Sequence, residues 1–395
     1  MPWRRNLWVI SCGLMLATIA FSLPSPFFTP FLLELGLKRN VTTWSGLIYA
    51  VTTIISALVT PFWGALADRH GRKMMIFRSG FGAAVVYLLI ALVTDVRQLL
   101  VLRIMDGLIG GLMPVGTMIL VANTPNEDLP YTIGVLQSAI ATGWVIGPLL
   151  GGLLVEGAGI RSGFLLAGAV LIAASTLMIV GVEDRCVAKT AAKRRLYEDL
   201  RDVLCFPGLL AVLAAFMLIQ SGISAYQPTL PLVVKQMVKD KAALMTGIVF
   251  ALPGISHAIC AVLINKMRKI DYHRLLKISI LAAALLSAAH GLTRSIYFLA
   301  GLRFIFGVTI AAMAVAANVL VAGALPREDA GKAVSVLHGV GALGFFLGPI
   351  CGGFLGDRLG IYSPFLGSAV FFLAAVGVLY LPSGIVRSIS HDQTR

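Results

Sequence analysis

The stretch Gly64-Ala65-Leu66-Ala67-Asp68-Arg69-His70-Gly71-Arg72-Lys73 decides how the rest of the chain is read. It is polar and densely charged, and it lies between two apolar runs, 44–66 and 74–94. Runs of this length suit membrane-crossing helices, which need roughly 20 apolar residues. These few residues therefore have to turn the chain at a membrane surface. Gly64 and Gly71 permit close backbone approach or a positive φ. Arg69, Arg72 and Lys73 put the turn on the cytoplasmic side, because cationic short loops resist translocation. Asp68 is an acid among bases at a helix end. It can accept from guanidinium groups or face the positive N-terminus of another helix. A basic turn that only sets topology would not need both glycines and the acid at these spacings.

Working outward, the 395 residues are 58% hydrophobic and 13% charged, with a mean hydropathy of +0.90. A soluble globular chain of this length does not need so much apolar surface. Apolar runs recur near 7–33, 44–66, 74–94, 98–122, 132–155, 162–182, 208–234, 243–265, 275–293, 296–322, 333–355 and 364–386. The expected fold class is an all-α membrane protein with twelve transmembrane helices. One long polar segment, 183–206, separates two six-helix halves, 1–182 and 207–395. Within it Tyr197, Leu200, Val203 and Leu204 fall at helical spacing and suit an amphipathic helix lying on the membrane. The Arg4-Arg5 pair before the first apolar run imitates a secretory signal. The run is too long for a signal core, so it reads as an uncleaved first helix.

The formal charge of +14 raises the question of nucleic acid. Its placement answers it. With the N-terminus inside, 21 of the Lys and Arg residues fall on the cytoplasmic side and 9 on the outer side. This is the bias that orients membrane proteins. It puts both termini in the cytoplasm and accounts for the charge without nucleic acid. The five cysteines (12, 186, 205, 260 and 351) show no Cys-x-x-Cys and no Cys/His metal spacing. They read as packing residues or free thiols.

The halves repeat. Gly147-Pro148-x-x-Gly151-Gly152 recurs as Gly348-Pro349-x-x-Gly352-Gly353, and Glu156 recurs as Asp357, each 201 positions later. Arg103 and Gly107 recur as Arg303 and Gly307, 200 positions later. The counterpart of 64–73 is Asn265–Arg274, which keeps the positive charge and loses both glycines. The specific role of the opening stretch therefore belongs to the first half.

The pattern Gly-x-x-x-Asp-Arg-x-Gly-x-Lys resembles the loop between helices 2 and 3 of the major facilitator superfamily. The two parallel six-helix halves agree with that family's arrangement. The string Gly143-x-x-x-Gly147-Pro148-x-x-Gly151-Gly152 resembles the antiporter signature of its bacterial drug:proton exchangers. The resemblance covers nearly the whole chain. It implies a cytoplasmic gate at Gly64, Asp68, Arg69, Gly71, Arg72 and Lys73. It also implies a central cavity walled by helices 1, 4, 7 and 10, with Phe27, Phe31, Tyr226, Gln227, Arg303, Met313 and Asn318 expected to line it. Aromatic and Met-rich walls suit varied apolar ligands because they repack easily. The glycine string has a plainer reading as a small-residue face for close helix packing, with Pro148 inviting a kink.

Ionisable groups inside membrane helices are expensive and need partners. Arg103 and Asp106 are three residues apart and so share one face of helix 4. With helix 4 starting near residue 98, Asp106 lies roughly 12 Å along it, close to mid-membrane. The resemblance covers Arg103 and Gly107, a proposed proton-transfer element, while Asp106 replaces a commoner polar amide. Asp106 is either a proton carrier or half of a static ion pair with Arg103. Arg303 has Phe306 where Arg103 has Asp106. It binds an anionic substrate group or a carbonyl, or it snorkels to the outer surface. His338 is either a proton relay or a packing histidine. His290 sits near an outer helix end.

The expected function is proton-coupled efflux of hydrophobic drugs or toxic small molecules by alternating access. The alternatives are a dedicated exporter of an endogenous metabolite such as a siderophore or a sugar, or a transport-inactive membrane receptor. The expected partners are a small-molecule substrate, protons and the lipid bilayer of the cell membrane, with the protein acting as a monomer. No enzyme activity, cofactor or metal is expected. There is no phosphate-binding Gly-x-x-x-x-Gly-Lys-Ser/Thr loop in the chain, so ATP is not its energy source.

Overall fold

A computed structural model describes residues 2–125, 127–183, 207–266, 270–324 and 330–380. The amphipathic helix expected near Tyr197–Leu204 lies outside the described residues. Among the described residues, twelve helical spans are long and apolar enough to cross a membrane. They are span 1 (Trp3–Glu34), span 2 (Val41–Gly64), span 3 (Arg72–Ile90), span 4 (Val96–Asn123), span 5 (Leu129–Ala158) and span 6 (Ile160–Gly181). The second set is span 7 (Leu209–Met237), span 8 (Ala242–Ile264), span 9 (Tyr272–Leu292), span 10 (Ile296–Gly323), span 11 (Gly331–Leu359) and span 12 (Ser363–Tyr380).

Three spans are interrupted. Span 1 breaks between helices Pro2–Ser22 and Phe28–Glu34, where Pro24 and Pro26 lack the N–H that a continuing helix would use. Span 7 breaks between Pro207–Ala225 and Leu230–Met237, across Pro228. Span 4 breaks between Val96–Ile109 and Leu112–Asn123. There Gly111 holds φ +120°, which a residue with a Cβ rarely adopts. Span 10, the counterpart of span 4, runs unbroken from Ile296 to Gly323.

The chain forms two compact units. One comprises Met1–Val41, Val51–Ala191 and Leu230–Gly254, and the other Thr42–Ala50, Ala192–Thr229 and Ile255–Arg395. These units follow the sequence halves except that each takes one segment from the other half.

In the first unit, span 5 lies against span 1. A Cβ placed on Gly143 would meet Thr18 Cβ at 2.6 Å and the Met15 carbonyl at 2.8 Å. One on Gly147 would meet the Ile19 carbonyl at 2.8 Å. Ser22 Oγ donates to the Gly143 carbonyl at 3.1 Å across this contact. The helix stays continuous through Pro148. In the second unit, span 11 lies against span 7 in the same way. Gly344 and Gly348 abut the Met217 and Ser221 carbonyls, and Ser224 Oγ donates to the Gly344 carbonyl at 3.4 Å. Close backbone approach through small residues is how helices associate in lipid, where the hydrophobic effect gives no drive. The small-residue reading of the glycine string therefore accounts for its geometry in both units.

Candidate functional site

The site is built on span 4. Arg103 Nη1 donates to Asp106 Oδ2 at 2.7 Å, and each residue is 7% exposed. The i,i+3 spacing puts both side chains on one helix face, as expected. Arg103 lies over the Phe28 ring at 4.6 Å, so its guanidinium is covered as well as paired. Tyr87, buried on span 3, also engages Arg103 through its side chain. Thr52 Oγ1 on span 2 donates to the Arg103 carbonyl at 3.0 Å. Gly107 allows this approach, since a Cβ there would come within 2.9 Å of the Thr52 carbonyl.

One turn beyond Asp106 the helix stops. The Gly110 N–H donates to the Asp106 carbonyl at 3.0 Å as the last bond of the first segment. The carbonyls beyond it need outside donors. Trp63 Nε1 donates to the Leu108 carbonyl at 2.7 Å. Arg78 Nη1 donates to the Ile109 carbonyl at 2.9 Å and Nη2 to the Gly110 carbonyl at 3.0 Å. The Arg78 guanidinium stacks on the Trp63 ring at 3.4 Å. Sequence reading missed Trp63, Arg78 and Tyr87. The Gly110-Gly111 pair was the available signal, because a broken helix in lipid must find donors elsewhere.

The second unit treats its arginine differently. Arg303 is 4% exposed and sits over the rings of Tyr226 at 4.8 Å and Phe306 at 6.0 Å. Tyr226 stacks on Phe365 at 5.3 Å, and His290 meets Phe306 edge-on at 5.6 Å. The snorkelling reading of Arg303 is therefore corrected: its charge is held inside an aromatic cluster and does not reach a surface. His290 belongs to the same cluster and is 1% exposed. It is part of the packed interior even though it falls in the last turn of its helix.

Gly71 holds φ +87° at the start of span 3, as the opening stretch suggested. Gly64 lies within a helix with open space where its Cβ would be, so nothing around it requires glycine. Arg72 and Lys73 are half-buried, and the side chains of Asp68 and Arg69 lie outside the described residues. His338 is exposed and edge-on to Phe216 at 6.0 Å.

Of the residues expected to line a cavity, Phe27, Phe31 and Met313 are buried in helix packing, with Phe31 tilted against Phe164 at 5.1 Å. Asn318 donates to the Ala314 carbonyl at 2.8 Å, and Gln227 is half-buried in the break of span 7. An open groove of about 650 Å³ lies in the first unit between spans 1 and 5, lined in part by Trp8, Ser11, Met15, Tyr131, Ser138 and Thr142. None of the expected residues lines it. Its walls mix rings, a thioether and hydroxyls. Ser11 Oγ is buried there with no hydrogen-bond partner.

Two further acids cap helix starts. Glu156 Oε2 accepts from the N–H groups of Ala243 at 2.9 Å and Leu244 at 3.3 Å. Asp357 accepts from the N–H groups of Thr42 at 3.2 Å and Thr43 at 2.8 Å. The recurrence of these acids was visible in the sequence, but their partners were not.

The Major Facilitator Superfamily profile matches residues 10–296 and 242–388. The multidrug resistance protein MdtG of Yersinia enterocolitica is 30% identical over 388 residues, spanning 96% of this chain and 91% of that one. MdtG of Serratia proteamaculans is 29% identical over 384 residues, spanning 96% and 92%. Among solved structures, a bacterial homolog of the human lysosomal transporter Spinster superposes with a TM-score of 0.81 at 16% identity, over 97% of each chain. The nucleoside transporter NupG gives 0.81 at 14% identity, over 96% of this chain and 98% of that one. With its twelve spans and repeated halves, the chain belongs to the Major Facilitator Superfamily, a family of membrane transporters and not of enzymes.

Proposed function

We propose that this protein is a drug:proton antiporter that exports hydrophobic small molecules, with Asp106 carrying the proton. The observation that carries the reading is the buried Arg103–Asp106 pair. An intramembrane acid next to an arginine can exchange a proton when the distance between them changes, because burial and the neighbouring cation act on the carboxyl in opposite senses. Substrate that draws Arg103 away would then link export to proton entry. The resemblance to MdtG, named for multidrug resistance, supports drugs as the substrate class. The open groove between spans 1 and 5 offers the rings and hydroxyls that a hydrophobic compound with a few polar groups would use.

On this reading the protein works as a monomer in the cell membrane with both termini in the cytoplasm. Asp68, Arg69, Gly71, Arg72 and Lys73 form the cytoplasmic gate. His338 is the reserve proton group, should Asp106 prove static.

The experiment is Asp106→Asn in proteoliposomes under an imposed pH gradient. Uphill export of the lipophilic dye Hoechst 33342 should fall at least about tenfold, while downhill dye exchange persists. Full proton-coupled export by the variant would rule Asp106 out. A dedicated metabolite exporter is the second reading, favoured by the intramembrane cation Arg303, which would meet a substrate's anionic group once the aromatic cluster around it opens. Export of one native metabolite but of no unrelated dye would select it. Absence of any substrate-triggered proton flux would leave a receptor.

A further inference from the structure

We propose that Arg78, stacked on Trp63, is a positioning residue for Asp106: it holds open the break in span 4 that places the acid in the last turn of a half-helix. The proposal rests on the reading of Asp106 as the proton carrier.

Asp106 lies one turn from the end of the helix Val96–Ile109. The carbonyls that end this segment have no N–H of their own helix to accept from, so they need donors from elsewhere. Arg78 bridges two of them and Trp63 takes a third. The guanidinium is planar and presents paired donors, which a lysine ammonium cannot imitate. Its stacking on the indole at 3.4 Å makes the two side chains one rigid clamp. The clamp also sets a positive charge at the negative end of a helix dipole, next to the ionisable group. The charged or titratable groups facing Asp106 are Arg103 on its own span and Tyr87 on span 3, with Arg78 beyond the helix end. A Cβ on Gly111 would lie 3.5 Å from Arg78 Nη2, in a backbone conformation that itself calls for glycine.

The repeat shows that the clamp is not part of the common framework. At the positions matching Trp63, Arg78, Asp106, Gly110 and Gly111, the second half has Ile264, Ser279, Phe306, Ile310 and Ala311. Span 10 is unbroken there. The break, its two clamping side chains and the acid are present together in one half and absent together in the other. A device that served helix packing alone would have no reason to follow the acid.

The test uses the full-length protein in lipid and transplants the second-half residues, as Arg78→Ser and Trp63→Ile. Infrared spectroscopy reads the protonated-carboxyl band of Asp106, assigned by its loss in Asp106→Asn. This readout needs no substrate. In Arg78→Ser the midpoint of that band should move by about one pH unit or more, a tenfold change in proton affinity. Arg78→Lys should move it less, and Trp63→Phe, which keeps the ring and removes one donor, less again. Where Arg78→Ser fails to fold, Arg78→Lys and Trp63→Phe carry the same measurement. An unchanged midpoint in the folded variants overturns the proposal. If the band shifts but Asp106→Asn still exports dye against a pH gradient, the clamp stands and the proton-carrier reading falls.

Discussion

The glycine faces of spans 5 and 11 are near-copies, whereas the centres of spans 4 and 10 share little beyond an arginine and a glycine. Gly143 and Gly147 abut span 1, and Gly344 and Gly348 abut span 7, each contact crossed by a serine hydroxyl. Gly247 meets the Pro148 carbonyl in one unit, and Gly46 meets the Pro349 carbonyl in the other. Glu156 and Asp357 cap helix starts in the same register. At the centre of the spans the symmetry stops. Arg103 has a carboxylate partner, while Arg303 lies among rings. The lesson is that the repeat preserves what lets two helices approach, and that the chemistry sits where the repeat departs from itself.

The largest effect that would break this contrast is on stability. Arg103→Ala leaves Asp106 buried without its cation and should cost about 3–5 kcal/mol. Arg303→Ala removes a cation held over the rings of Tyr226 and Phe306 and should cost clearly less. Thermal unfolding in one detergent compares them directly. Equal losses would mean that the two arginines do the same structural job.

Next come the glycines. Gly147→Leu and Gly348→Leu should each lose about 1–3 kcal/mol or more, because the added side chain meets backbone that cannot move away. Ala141→Leu, on span 5 outside the string, should stay within about 0.5 kcal/mol. If Gly147→Leu impairs transport far more than Gly348→Leu at equal expression, the string in span 5 acts beyond packing, as the antiporter signature implies.

Smaller effects belong to the exposed caps. Glu156→Gln and Asp357→Asn should each weaken a helix start by about 0.3–1 kcal/mol. Hydrogen exchange at Ala243 and Leu244, or at Thr42 and Thr43, should quicken by up to about fivefold. Quickening at one start alone would show that the two caps are unlike. The smallest effect should be that of His338→Gln, which restores the residue type found at Gln137. Coupled export should stay within about twofold of the parent, as for surface changes in general. A larger loss would move the proton path from span 4 to span 11.

Much of this was legible in the residues. The apolar runs located the spans, because the bilayer demands about 20 apolar residues at a stretch and a fully paired backbone. The pairing of Arg103 with Asp106 followed from helical spacing. The break in span 4 did not, since Gly110-Gly111 also suits ordinary close packing. The cavity residues were placed by resemblance, and Phe27, Phe31 and Met313 proved to be buried in packing. In a membrane helix an apolar side chain looks the same in sequence whether it faces lipid, cavity or core.

By itself the sequence determined the number of spans, the repeat, the Arg103–Asp106 pair and the family. Each of these depends on hydropathy or on spacing along one helix, both local properties. Only the tertiary structure decided that Arg78 and Trp63 donate to the carbonyls at the break beside Asp106, that Arg303 lies in an aromatic cluster, and that Glu156 and Asp357 cap distant helix starts. Those contacts join residues far apart in the chain. Their partners are backbone carbonyls, backbone N–H groups and ring faces, which nearly every residue offers, so spacing could not single them out.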